Sequence, residues 1–414
     1  MASHRLLHGL ACVALIGCGA TEGWCADPIP PFPGPQPQES LRPMLKIAWK
    51  KGPDLPQGFQ DSDGGIVGRM LVTVGGFCSG QKGVPGKDTV YPRGFLKKVW
   101  GLSLAESSRG WQPLPDFPGE PRQELFAIVV DETLYGWGGF SYTKPYCYKD
   151  GYRLSLRAGK WVWDSLPDLP SPAASSGVCA VGTRIYVCGG CDYDADVNDG
   201  TFFTSTDRTG SVKRQGTRLL VIDTADLKAG WRELDPCPGT PRWIAAMTAV
   251  KGKIYVIGGA TGNDNRTKSY CTVVDNWVYD PPSRQWSRIR DLPIASGNFP
   301  SGRIVFADRY ILLVGGNPYD KVMNPDGSAR DPYGQPFKYY KNKSYYSDML
   351  VYDTRTGEFG TADPLPLNNN LPMTVVEDRR IHLIGGETGG CEIEGEVFGH
   401  HPDLYLVGTI QETK

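Results

Sequence analysis

The residues of this chain best suited to chemistry are spread along its length, most of them in short loops beside strand-like runs: Arg122 and Glu124, Asp192, Arg242 and Trp243, Arg266, Asn317 and Tyr319, and Glu387. Their types set what they could do together. An arginine offers a planar fork of donors that fits a carboxylate. A glutamate or aspartate can take or give a proton when held against a reacting hydroxyl. Tryptophan and tyrosine present flat faces with a polar edge. Both charge signs, amides and aromatics in one place would suit a polar ligand such as a carbohydrate better than an apolar one. None of them acts alone, so everything depends on whether the fold collects them.

Metal chemistry is not expected. Cys188-Gly189-Gly190-Cys191 has the spacing of half a zinc site, but the chain has no second such pair. Beyond the first few residues the only histidines are His382, inside an apolar run, and the adjacent His400 and His401. No cofactor is expected either.

The elements that must position these loops form a repeat. Six apolar runs end in a glycine pair: Leu71–Val74, Leu134–Trp137, Ile185–Cys188, Ile254–Ile257, Ile311–Val314 and Ile381–Ile384 precede Gly75, Gly138, Gly189, Gly258, Gly315 and Gly385, each followed by a second glycine. A short alternating strand precedes each run across a polar turn, as in Ala127 to Val130, which predicts a hairpin. A third strand follows, such as Leu219 to Asp223. A fourth carries an aromatic residue, at Trp111, Trp161, Trp231, Trp286 and Phe359, and leads to a turn like Leu166-Pro167-Asp168-Leu169-Pro170. Five such fourth strands serve six glycine pairs. The sixth lies at the other end of the chain, where Met44 to Trp49 precedes Pro53-Asp54-Leu55-Pro56. Joining it to the last unit would close a ring and remove exposed sheet edges.

Repetition also accounts for size, since 414 residues exceed what one core usually serves, whereas a ring grows by adding units. Lys plus Arg is 44 and Asp plus Glu 45, a balance that leaves no broad field to attract nucleic acid or an anionic membrane.

Four strands per unit, a diglycine and a tryptophan resemble the kelch repeat; the Gly-His and Trp-Asp signatures of WD40 repeats are missing. The resemblance implies an all-β, six-bladed kelch β-propeller, in which loops leaving the second strand and loops leading into the first share the face around the central channel. It would gather there the residues named above, with Asp61, Asp63 and Asn368 to Asn370. The long segments after Gly190 and Gly316 would fold over the mouth as lids. Disulfides between neighbouring loops, Cys78 with Cys391 or Cys147 with Cys191, are two of many open pairings. Kelch propellers with a copper-radical centre need two histidines at the metal, which this chain does not provide in suitable places.

The chain further resembles the N-acetylneuraminate epimerase (sialic acid mutarotase) family along most of its length. The matching stretches are Phe117 to Gln123, Asn265-Arg266-Thr267, Lys343 to Asp348 and Ile384 to Thr388. The resemblance implies an acidic sugar as ligand and anomer interconversion as activity. Arg266 matches the family's arginine, but Ala260 stands where the family has its glutamate, six residues earlier. Glu387, Glu124 and Asp192 are the carboxylates that could take over. A carbohydrate- or protein-binding propeller without chemistry is the alternative.

The N-terminus reads as a targeting segment over residues 1–26, with Leu15-Ile16-Gly17-Cys18 resembling a bacterial lipobox. Lipidation of Cys18 would tether the protein to a membrane; ordinary cleavage after Ala20 or Ala26 would release it. Either way the protein is expected to be exported, to the periplasm, the outer membrane or beyond. Residues 27–43 read as a proline-rich spacer and residues 44–414 as the propeller.

Overall fold

A computed structural model of the chain describes residues 36–80, 91–192, 215–262, 270–317, 321–323, 329–330, 345–388, 391–393, 395–398 and 400–413. They are strand and turn almost throughout, and no described helix is long and apolar enough to cross a membrane.

The expected unit recurs at every glycine pair. In the first, Asp63–Val67, Met70–Val74, Val99–Ser103 and Gln112–Leu114 pair in that order, each antiparallel to the next. The same four-strand order runs from Phe126 to Leu166, from Gly177 to Leu234 and from Ala246 to Ile289. The fifth and sixth units fuse into an eight-stranded sheet. The fifth comprises Val305–Phe306, Tyr310–Val314, Met349–Asp353 and Glu358–Ala362; the sixth comprises Met373–Glu377, Arg380–Ile384, Tyr405–Glu412 and the N-terminal strand Pro43–Lys51. That N-terminal strand runs antiparallel to the C-terminal one, with Leu45 opposite Glu412 and Lys51 opposite Leu406. A short parallel contact, Leu45 opposite Ala362, links it to the fifth unit.

The innermost strands touch in one cycle, from Asp63–Val67 through Phe126–Val130, Gly177–Val181, Ala246–Val250, Val305–Phe306 and Met373–Glu377 back to the first, so the sheets close a ring around a channel. Two repeated bonds hold neighbours together. The amide of the second glycine of a pair donates to a carbonyl of the next unit: Gly76 to Arg122, Gly139 to Ala173, Gly190 to Arg242, Gly316 to Asn369 and, closing the ring, Gly386 to Phe59 at 2.9 Å. Glycine is needed because the approach is so tight. A Cβ on Gly138, whose φ is +69°, would stand 2.3 Å from the Ala173 carbonyl oxygen. The second bond is an indole latch to the preceding unit's proline turn, from Trp111 to Pro53, Trp163 to Pro115, Trp286 to Asp235 and Trp49 to Pro364. In the second unit Trp163 makes this bond, on the same strand as Trp161.

Apolar side chains pack between units instead of in one centre. Leu55, Ile66, Leu71, Ile384 and Tyr405 fill the joint between the sixth and first units, and Leu45, Leu312, Val351, Ile381 and Leu406 the joint between the fifth and sixth. This explains how a long chain keeps a thin core.

His382 lies in such a joint, 1 % exposed, with Nδ1 against the Tyr405 hydroxyl at 2.7 Å. Burial, reinforced by the charge of Arg380, pushes its pKa down to about 4. The unfolded chain therefore takes up a proton near pH 6.5 that the folded chain refuses until about pH 4, and stability from this group is lost as pH falls through that window. The loss amounts to about 3 kcal/mol. Asp63 works in the opposite sense, because burial raises its carboxyl to about 7 and its ionisation destabilises the fold as pH rises. A difference measurement separates the two: between pH 7 and pH 4, His382→Phe should gain about 3 kcal/mol on the wild type in urea unfolding. A constant difference would remove His382 from the acid limb.

Gln36, in the segment read as a spacer, is buried: its side-chain amide donates to the Phe359 carbonyl and accepts from the Phe359 amide, extending the fifth unit's edge. The segments after the fourth and fifth glycine pairs build a small extra sheet, with Ala260–Gly262, Tyr270–Val273, Lys321–Met323 and Ala329–Arg330 in that order. Most of the expected lids, including Tyr339 and Tyr340, lies outside the described residues.

Candidate functional site

Just beyond each glycine pair, one residue pairs through its backbone with the loop leading into the same unit's first strand. The pairs are Phe77 with Gln60, Phe140 with Gln123, Cys191 with Ala174, Ala260 with Trp243, Asn317 with Gly297, and Glu387 with Asn370. These twelve residues ring the mouth at equivalent positions. Below them opens a cavity of about 550 Å³ including its mouth, walled by Asp61 to Asp63, Glu124 to Phe126, Ser175 and Ser176, Ile244, Phe299 to Ser301, and Leu371 to Thr374, so that all six units contribute.

The ring is chemically lopsided. On one side Phe140, Tyr146, Cys147, Ala174, Cys191, Trp243 and Ala260 form an apolar cluster. Ala260 and Trp243 are there, 0 % and 1 % exposed. Cys147 and Cys191 are both buried thiols, with the Cys147 thiol 3.8 Å from the Cys191 carbonyl, and Cys78 is a buried thiol as well.

The opposite side is polar. Glu387 Oε1 faces His400 Nε2 at 2.6 Å, and Asn370 Nδ2 donates to Glu387 Oε2 at 3.2 Å. The Glu387 amide donates to the Asn370 carbonyl and to Asn369 Oδ1, so the backbone is fixed on the same loop. Burial raises the pKa of Glu387, but hydrogen bonds from His400, Tyr345 and Asn370 outweigh it and hold the carboxyl below its ordinary value. The His401 ring lies 4.7 Å from that of His400 and edge-on to Phe77 at 5.7 Å. Burial pushes His401 down to about 3, leaving it neutral. The guanidinium of Arg93 lies over the other ring partner, Phe77, at 5.6 Å.

Lower in the cavity, Asp63 accepts from the amides of Gly64 and Ala127, and Glu124 meets the Ser175 hydroxyl. Asp61, Asp63 and Glu124 give this wall a negative sense, and its described lining contains no basic side chain.

The two arginines expected to bind ligand are wall components. Arg122 is 1 % exposed: it pairs with Asp150 at 2.6 Å, donates to the carbonyls of Glu120 and Gly138, and stacks on Tyr148 at 3.8 Å. Arg242, also 1 % exposed, repeats the arrangement with Asp275 and the carbonyls of Thr240 and Gly258. A signal for this role was present in the sequence, because Pro118-Gly119-Glu120-Pro121-Arg122 and Pro238-Gly239-Thr240-Pro241-Arg242 are one motif used twice. Each arginine ties its loop to the first glycine of the pair and to the start of the third strand. Asn317 holds its ring position through backbone bonds to Gly297, and Asp192 is described at the rim next to Cys191. Arg266, Tyr319 and Cys18 lie outside the described residues. His400 and His401, set aside in the sequence as adjacent, stand on the loop between the second and third strands of the sixth unit, which the rule for mouth loops already covered.

Comparison with known proteins agrees with this architecture. A kelch motif model matches residues 172–203 and 245–293. The N-acetylneuraminate epimerase of Haemophilus influenzae (strain 86-028NP) is 24 % identical over 364 residues, covering 82 % of this chain and 88 % of that protein. The enzyme of the same name from Pasteurella multocida (strain Pm70) is 23 % identical over 363 residues, with the same coverage. The solved structure of YjhT superposes with a TM-score of 0.59 at 18 % identity, covering 87 % of this chain and 99 % of that one. In motif, sequence and chain path, therefore, the protein is a kelch-type β-propeller similar to the N-acetylneuraminate epimerases.

Proposed function

We propose that the protein is exported, binds an acidic sugar of the sialic acid type at the mouth of the channel, and interconverts its anomers with Glu387 and His400 as the proton-transfer pair. The observation that carries this reading is register. Glu387 occupies in the sixth unit the ring position that Ala260 occupies in the fourth, and the fourth is where the epimerase family resemblance calls for a glutamate. A carboxylate thus stands at an equivalent position of the ring, two units further on.

Opening the sugar ring requires removal of the anomeric hydroxyl proton and delivery of a proton to the ring oxygen; reclosure from the other face reverses both transfers. Glu387 and His400 share a short hydrogen bond, so one can accept while the other donates. Asn370 orients the carboxylate for that exchange. The sugar's own carboxylate is repelled by Asp61 and Glu124 below and must point outward; Arg266, the arginine of the family resemblance, is its proposed clamp.

Anomer exchange of N-acetylneuraminate followed by NMR tests the proposal: exchange with the protein should be well above the buffer rate. The apolar surroundings of Ala260 favour a second reading, a sugar-binding propeller without catalysis. Saturable binding with exchange at the buffer rate would establish that one instead.

A further inference from the structure

We propose that Glu387, His400 and His401 form a binding site for a late first-row divalent cation, with Zn²⁺ the best match. One carboxylate oxygen of Glu387 and one ring nitrogen of each histidine lie within 4.8 Å of one another, a span that small side-chain rotations close around an ion. Two imidazoles with one carboxylate are a donor set that zinc takes up readily, leaving a fourth position open to water or ligand. Calcium and magnesium prefer all-oxygen sites and are disfavoured.

Three further features belong to a built site rather than a chance cluster. His401 is 3 % exposed, and its Nδ1 is buried with no hydrogen-bond partner, a costly arrangement that coordination of a metal at that nitrogen would relieve. Asn370 grips the carboxylate oxygen that faces away from His400, the kind of outer contact that orients a ligating carboxylate. The backbone is also pinned on both arms, by the Glu387 amide to Asn369 Oδ1 and the Thr388 amide to the His400 carbonyl, so the ligands are held together before any ion arrives.

The site stands independently of the proposed mutarotation but acts on it. An ion there occupies the Glu387 oxygen and the His400 nitrogen that would otherwise exchange protons, so zinc should inhibit anomer exchange.

The test uses the full chain, stripped with a chelator and titrated with Zn²⁺ against a chromophoric competitor, with Co²⁺ substitution to read the coordination. The expected result is one Zn²⁺ per chain, a tetrahedral Co²⁺ spectrum, and loss of stoichiometric binding in His400→Gln, a half-exposed position whose replacement should leave the fold intact. Asn370→Ala should weaken binding by roughly 10–100-fold, whereas Cys188→Ser should leave it unchanged. Failure of the wild type to take up zinc stoichiometrically, or uptake that His400→Gln does not alter, overturns the proposal. Because binding is read without sugar, an absence of anomer exchange leaves the zinc result standing, and exchange that persists without zinc uptake leaves the mutarotase reading standing.

Discussion

Glu387→Gln is expected to lower the rate of anomer exchange by about 10²–10⁴-fold, the usual contribution of a positioned acid–base group. Glutamine keeps the shape of the side chain and can still offer its one oxygen to Asn370 Nδ2, with its amide nitrogen in the place that faces His400 Nε2. What it loses is the ability to carry a proton. Saturation by the sugar should change little, because the group acts on the reacting hydroxyl and the sugar's carboxylate is held elsewhere, so the loss should fall on kcat more than on KM. Circular dichroism and the thermal midpoint should match the wild type. A variant with full exchange would clear Glu387 of the role and shift attention to Asp63, the channel carboxyl that burial brings to about 7. Asp63 is a less suitable candidate, since both its oxygens already accept backbone amides, one from neighbouring Gly64 and one from Ala127 of the second unit.

The parts of this molecule that could be read in its sequence are those written locally. A glycine pair after an apolar run is a local statement about φ and close approach, and its recurrence marked each unit. The displaced fourth strand at Met44 to Trp49 was legible for the same reason, since its own residues repeat the pattern of its counterparts. Side-chain roles that depend on distant partners were not legible. Arg122 and Arg242 read as ligand-binding cations until Asp150 and Asp275, just before the third strands, meet them. His400 and His401 look redundant as neighbours until the loop folds Glu387 against them. Ala260 marked a missing group in one unit and left Glu387, Glu124 and Asp192 as replacements; the equivalence of the ring positions singles out Glu387.

Arg242→Met should cost about 3–5 kcal/mol of stability, the usual effect of removing one partner from a fully buried ion pair. Arg242 and Asp275 are 1 % and 0 % exposed, and the Nη2–Oδ2 distance is 2.6 Å. Burial alone would raise the Asp275 carboxyl, but the charge of Arg242 and bonds from Thr240 and Trp277 hold it below its ordinary range. Without the arginine, that carboxylate remains in an apolar wall with neutral donors only, and the carbonyls of Thr240 and Gly258 lose their partner. Arg122→Met is the natural comparison, because the motif is the same but Asp150 is 31 % exposed and water can replace the lost guanidinium. Its cost should be clearly smaller. Denaturant unfolding of both variants reads the difference, and equal losses would mean that the lost hydrogen bonds to the glycine-pair carbonyls, rather than the buried charge, set the cost. Adding Asp275→Asn to Arg242→Met should recover part of the loss, since the amide removes the stranded charge and can still accept from the Thr240 hydroxyl.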